Sequence, residues 1–553
     1  MPSPTAGFRF KASLALACIL LILLIVYLYN HLSVSKSYIV VSTPADKANV
    51  KDVIQDRIGV SKMIYAGPHR LDIVAKKGQM AMLPLNNDFK FVETMDQVVC
   101  LLQEKEEGDF TEKKLTLKAE KAFYDYKENV LIAEQVEAKY ALFPLNMPFD
   151  ESSFSELIWS LKGKHLELFV ENAKEDNLNA VIDHGDITFM SDIELTSDYL
   201  EFKGASLSNT EEIVAKHNVK ISYKDYLIES VRATYLMACK EIKGELLMDG
   251  MDTNTPCHLT SLVGDSIFAK EIRVNSLNGQ LSLLEPTGTL ISHKRQALLT
   301  FSSGTMLWDD FSHTLTLNHN VVIDQAEMGH FQSASEVKLQ QGMAVGDGKW
   351  PDSKWPDSKW IVKTIEAASD TTAIYKKEKG KESEKSVFQE YVLSTKGKIK
   401  IDHEKMLTNF YSLVDESGNI PKGNQVKLDM GNVDVFSDHV LVKYGAIDGH
   451  MELEKMVMSG NVTICKRAAL TPLVQIPFSQ YLTAERAEYD PLKQEIVFFA
   501  KENKRVLFYD TSNQMEMSAP CIKATYDKET KKEIIKGIGD VRFRLINSNL
   551  RKL

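Results

Sequence analysis

The chain has 553 residues, enough for several ordinary domains and a large buried core. Its 66 Lys+Arg against 76 Asp+Glu leave a formal charge of −10, with both signs spread along the whole length. That spread argues against nucleic-acid binding, which needs basic residues clustered on one face. With 44% apolar residues, 28 glycines and 16 prolines, the composition excludes global disorder.

At the N-terminus, residues Ala12 to Tyr29 read ASLALACILLILLIVYLY without a charge. At 1.5 Å per residue such a run nearly spans a hydrocarbon core of roughly 30 Å. Ala12, Leu20, Leu24 and Tyr29 mark this anchor, a predicted transmembrane helix over 12–29 behind a cytoplasmic tail of residues 1–11. Arg9 and Lys11 flank its near end, so the positive-inside bias predicts a single pass with the N-terminus in the cytoplasm and the bulk of the chain exported. A cleaved signal peptide is the competing reading, but no small-residue cleavage site follows the apolar run. Cys18 follows LALA in the manner of a lipoprotein box, yet the apolar run continues well past it.

Residues 30–61 read as a connector containing a short helix, DKANVKDVIQDRIGV from Asp46, and SSFSELIWSL near Ser152 reads as another helix. From about residue 62 the texture changes to short alternating segments broken by Asp, Asn, Gly or Lys. LEFKGASL near Leu200, VKISYKDYLI near Val219 and LTLNHNVVID near Leu315 show this period of two, the signal of half-buried strands. Three stretches superimpose on one another: LKAEKAFYDYKENVLIAEQVEAKY from Leu117, LTAERAEYDPLKQEIVFFAKENKRVLFYD from Leu482 and MSAPCIKATYDKETKKEIIKGIGDVRFRL from Met517. Each runs from a strand through a Tyr-Asp turn, at Tyr124, Tyr489 or Tyr526, into a second strand. Such repeats bury their apolar faces only by stacking on one another. In the turn, Asp is expected to bond its own backbone, and Tyr to pack at the strand end with its hydroxyl toward water.

Residues 62–340 and 387–553 thus form two blocks of repeats. Between them, 341–386 holds KWPDSKWPDSKW and KKEKGKESEK and reads as an exposed insertion whose Trp350, Trp355 and Trp360 are available for a membrane or a partner. No GxSxG, phosphate loop, HExxH or dinucleotide motif is present, and the thirteen histidines carry no ligand spacing. No catalytic residue, metal or cofactor is therefore assigned, and an enzyme is not expected. Five cysteines lie beyond the span; they cannot all pair internally, and Cys239 and Cys257 are the nearest two.

KMVMSGNVTICK from Lys455 and YLTAERAEYDPLKQEIVFFAKENKRVLFYD from Tyr481 resemble the OstA-type repeat of the periplasmic lipopolysaccharide-transport bridge proteins. MIYAGPHRLDIVAKKGQM from Met63, together with the single span, resembles the inner-membrane-anchored member of that system. The resemblance covers about 110 C-terminal residues and the stretch near Lys118–Tyr140, and it makes the chain an extended or fused member. It implies an all-β, elongated open β-jellyroll, two facing antiparallel sheets with an apolar groove between them. It also implies a non-enzymatic role in binding the acyl chains of lipopolysaccharide or a related glycolipid, and head-to-tail pairing with other bridge proteins by edge-strand addition. About forty strands shared between two sheets would extend such a groove on the order of 100 Å. Alternation places Ile496, Phe498, Val506, Phe508, Val541 and Phe543 on the groove side, with Arg542 and Arg544 opposite. A dry, closed sandwich fits the same alternation. So does a second role, an exported scaffold of β-hairpins that displays partner-binding loops.

Overall fold

The computed structural model describes residues 55–545, apart from 67–68, 86–87, 105–110, 145–155, 170–177, 190–192, 207–208, 238–244, 250–254, 263, 277, 293–296, 326–328, 345–358, 383–384, 448–449, 468–477 and 528–531. The expected tail and transmembrane helix, with Ala12, Leu20, Leu24 and Tyr29, lie outside the described residues, as do Trp350 and Trp355. Among the described residues no helix is long and apolar enough to cross a membrane.

Among the described residues thirty-eight strands, from β1 (Gln55–Ala66) to β38 (Arg542–Leu545), form one sheet that is antiparallel except for a single parallel bridge. The first ten strands are unusually long. β2 (His69–Leu85) and β3 (Asp88–Glu104) are 17 residues each, and each strand pairs along its whole length with its sequence neighbours. Midway along each, pairing skips a residue and the strand bends. Gly59, Gln97, Gln135, His184 and His217 sit at five of these bends with φ of 72°, 52°, 51°, 49° and 62°.

Beyond Glu245 the same rung is built from two short strands joined at the bend. β10 (Tyr226–Leu236) shows the change: one half pairs with β11 (Glu245–Asp249), the other with β12 (Cys257–Ser261). The ladders then continue side by side to β31 (His450–Arg467) and β32 (Phe478–Asp490), two further unbroken bent strands, after which the pairing divides again. Among the described residues, twelve bent strands and thirteen pairs of short ones thus make twenty-five V-shaped rungs, each bonded only to the rungs before and after it apart from the parallel bridge. At roughly 4.8 Å per rung the ribbon runs on the order of 100 Å. We call the two halves of every rung arm A, which contains β11, and arm B, which contains β12. All bends lie on one side and all hairpins on the two rims.

The bends alternate in handedness. Where the chain passes from arm A to arm B, a left-handed residue recurs: Glu285, His319 and Asn320, Asp370, Asn461 and Asn503 after the five above. In returning corners the chain needs none, and Pro520 occupies one of them. Antiparallel rungs cross the bend in opposite directions, so an L-chain meets two different steric problems there.

Three expectations are corrected. Residues 55–60 belong to β1, not to a helix, and Ile58 is almost fully exposed on it. The second expected helix is strand Glu156–Phe169, where Trp159 and Leu161 point inward and Ser160 does not, a period of two that no helix satisfies. Most of 341–386 is also strand: Val337–Ala344 pairs with Lys359–Ala367, and Thr371–Glu382 with Lys385–Thr395, so the lysine-rich run extends a hairpin and the two repeat blocks join without a break. Alternating charges are compatible with a two-stranded arm that stands out from the sheet.

Candidate functional site: an apolar interior and its seam

Alternation along every rung sends one row of side chains inward. Leu259, Ile267, Leu281, Leu315, Leu317, Val321 and Leu339 are each 0% exposed, and the row is continuous with the interior of the first ten strands. There the filling is aromatic: Trp159 stacks on Tyr140 at 5.4 Å between centroids and lies 5.5 Å from Phe202. Of the expected groove residues, Phe498, Val506 and Phe508 are buried within this interior, and Ile496 packs against it half-buried. Val541 and Phe543 are 43% and 56% exposed. Phe543 pairs with the buried Met517 and so shares the inner face, but no further rung among the described residues covers it. Arg542 and Arg544 alternate with it and are exposed.

The rim hairpins are set by Asp side chains. Asp125, Asp309, Asp490 and Asp510 each accept amide hydrogens from the residues two and three positions on. Burial alone would raise the Asp510 carboxyl, but the Asn513 amide and side chain, Gln480 and the Ser512 amide hold it below the usual carboxylate range. Among the Tyr-Asp turns, Tyr124 departs from expectation: it is 1% exposed and points inward, its hydroxyl 3.4 Å from Asn129 Oδ1, whereas Tyr489 is half-buried.

Sequence pattern did not reveal how the arms meet. Arm B of one rung contacts arm A of a rung three or four further on, which forms a staggered seam across the mouth of the trough. Phe189 and Tyr235 meet at 4.0 Å between ring centroids. Lys224 Nζ lies 2.5 Å from Asp310 Oδ2, and the Tyr226 hydroxyl donates to Asp310 Oδ1 at 3.2 Å. Ser292 and Val362 form the parallel backbone bridge. The Tyr391 and Tyr489 hydroxyls are 3.5 Å apart, and Lys466 Nζ is 2.9 Å from Glu533 Oε2. At each of these points the mouth is shut. Beneath the seam, a cavity of about 30 Å³, lined in part by Leu299, Ile323, Phe331, Ile365 and Thr408, has room for about one water and none for an acyl chain.

The two ends differ. At the first rung Lys62 turns inward beside Ile73, pairs with the fully buried Glu93, and lies 4.5 Å from the centre of the Tyr126 ring, whose hydroxyl donates to Glu93. Burial, helped by Arg57, pulls the Lys62 ammonium down to about 8, and burial likewise raises Glu93. At the last rung the inner face ends in exposed Val541, Phe543 and Leu545. The outer edges of β1, β37 (Lys532–Ile538) and β38 have no strand partner among the described residues.

Cys100, Cys257, Cys465 and Cys521 are free thiols; Cys257 Sγ lies 3.4 Å from Ser230 Oγ, and Cys239 is outside the described residues. Among the described residues no group of three or more His, Cys, Asp or Glu is placed to hold a metal ion. Compared with known proteins, the chain matches no family model and no curated protein.

Proposed function

We propose that this chain is a non-enzymatic, membrane-anchored bridge of the OstA-type lipopolysaccharide-transport class. It carries the acyl chains of lipopolysaccharide or a related glycolipid through its apolar interior, from the inner membrane across the periplasm. The observation that carries this reading is the interior itself: one apolar row that runs through successive rungs over a length on the order of 100 Å, with buried polar groups such as Glu93, Asp265 and His403 at few points. Exposing acyl chains to water costs about 0.8 kcal/mol per methylene, so a carrier needs continuous cover. The free edges at both ends suit strand addition by partner bridge proteins. Within the chain, β10 and β32 already show one bent strand pairing with two short ones, the joint that β37 and β38 would make with such a partner.

A photo-crosslinking residue at Phe498 or Phe508, inside, compared with Leu507, outside, tests the proposal in cells. Lipid adducts confined to the inner positions are expected. Their absence there, with protein adducts at Leu507, would favour the second reading, an exported scaffold. That alternative draws support from the seam, which leaves the interior filled by the chain's own side chains.

A further inference from the structure

If the interior carries acyl chains, the seam decides where they get in, and its contacts are not equivalent. Phe189 with Tyr235 is an apolar contact. Ser292 with Val362 is a backbone bridge whose neighbours Ile361 and Val362 are 4% and 1% exposed. Tyr391 with Tyr489 carries no charge. Lys466 with Glu533 is a solvent-facing pair at the end of the ribbon, with side-chain exposures of 26% and 53%.

The contact at Lys224 and Asp310 differs from all of these. It is ionic, yet Asp310 is only 17% exposed and takes a second hydrogen bond from Tyr226. Large apolar side chains flank it on both rims: Phe311 beside Asp310 is 68% exposed, and Leu262, whose amide bonds the Asp225 carbonyl on the opposite rim, is 59% exposed. Lys224 Nζ lies 5.3 Å from the centre of the Phe311 ring. Inside the latch, Trp308 packs edge-on against Tyr226 at 4.9 Å, is 1% exposed, and holds an indole N–H with no hydrogen-bond partner among the described residues. A buried donor left unpaired costs roughly 1–3 kcal/mol, so it marks a place where an acceptor is wanted.

We propose that this stretch of seam is a lateral entry site for an acylated anion, an inference that rests on the carrier reading above. The rims part at the Lys224–Asp310 pair, and the acyl chain passes between Phe311 and Leu262. Lys224 exchanges the Asp310 carboxylate for the anionic head, and the Trp308 indole N–H donates to the ester or amide carbonyl that joins head to chain. No bond is made or broken. The exchange conserves one ion pair, so entry replaces an internal contact with an equivalent one to the ligand.

The test uses the full-length chain in nanodiscs, a diazirine-bearing palmitic acid and its methyl ester. Light-induced adducts on the segment Trp308–Leu317 are followed by mass spectrometry against time, with each variant's folded fraction taken from its thermal melt. Asp310→Asn is expected to speed labelling by the acid about threefold or more, because the latch loses its charge pair. Lys224→Met is expected to lower acid labelling about fivefold while changing ester labelling less than about twofold. The swapped pair Lys224→Asp with Asp310→Lys re-forms the latch and brings the rate of ester entry back to that of the parent chain. If Asp310→Asn labels at the parent rate and Lys224→Met treats acid and ester alike, the entry site is wrong, while the carrier reading stands on parent-chain labelling. If neither probe labels the interior of the parent chain or of any variant, the carrier reading falls and the entry site falls with it.

Discussion

Two stretches of the same interior are filled in different ways. From Tyr140 to Tyr235 the space between the arms is held by interlocked rings: Tyr140 on Trp159, Trp159 near Phe202, and Phe189 on Tyr235. From Leu246 to Leu339 it is held mainly by leucine, isoleucine and valine, with Phe301, Trp308 and Phe331 the buried aromatic exceptions. Rings have few rotamers and pack as a unit, whereas aliphatic side chains can turn aside in small steps. On the proposed carrier reading, the aromatic stretch would serve as a fixed plug and the aliphatic stretch as the displaceable part of the interior. The seam shows the same division, closed by rings over the first stretch and by an ion pair at the start of the second.

The strongest way to break this comparison is to remove the centre of the plug. Trp159→Ala should destabilise the fold by about 3–5 kcal/mol in chemical denaturation and open a cavity that apolar probes enter. Less than about 1 kcal/mol would mean that the rings do not act together. In the aliphatic stretch Leu317→Ala, also fully buried, should cost about 2–4 kcal/mol, with more of the space regained by collapse of its neighbours. Equal cavity formation by the two variants, read as uptake of the same apolar probe, would remove the distinction between plug and displaceable filling.

A third effect is electrostatic and belongs to the aliphatic stretch alone. Asp265 is 3% exposed, and burial pushes its carboxyl up to about 6 even though the Ile291 amide and the Ser261 hydroxyl donate to it. Its folded-state pKa thus lies above the unfolded value of about 3.9. The folded state holds the proton more tightly, so stability from this group is fully present below about pH 4 and is lost as pH rises through 6, a change of about 2–3 kcal/mol. Denaturation midpoints between pH 4 and 7 should slope downward in the parent chain, and the slope should shrink in Asp265→Asn.

How far these features could be read beforehand depends on the range of the interaction that makes them. Period-two alternation is local, and Phe498, Val506 and Phe508, which it sets on one side of their strands, are buried. The Asp of the rim turns bonds amides two and three residues away, so its role was legible too. Pairing on both sides, with Val130–Pro144 and with Leu178–Phe189, makes Glu156–Phe169 a strand, and neither partner lies within the stretch that reads as a helix. The bends were missed because Gln97, His184 and His217 are ordinary strand residues until a rung must turn a corner. The seam was out of reach: its hydrogen bonds join residues 67 to 98 positions apart, and the stagger that brings them together comes from the twist of the whole ribbon.

The smallest effect separates the two kinds of closure most directly. A double-mutant cycle on Phe189 and Tyr235, each changed to Leu, should give a coupling of about 0.5–1.5 kcal/mol, because ring contacts add to burial. That coupling should not change between low salt and about 0.5 M salt, since neither ring carries a charge. A cycle on Lys224→Met and Asp310→Asn should give about 1 kcal/mol or less, for the lysine is 37% exposed and solvent screens the pair. In the same salt series this second coupling should fall toward zero as the Debye length contracts to a few ångströms. Burial opposes the charge on Lys224, but its bond to Asp310 raises its pKa, so the pair persists across the neutral range and salt, not pH, is the lever. If both couplings fade with salt, or neither does, the two stretches close by the same physics and the division between plug and gate is lost.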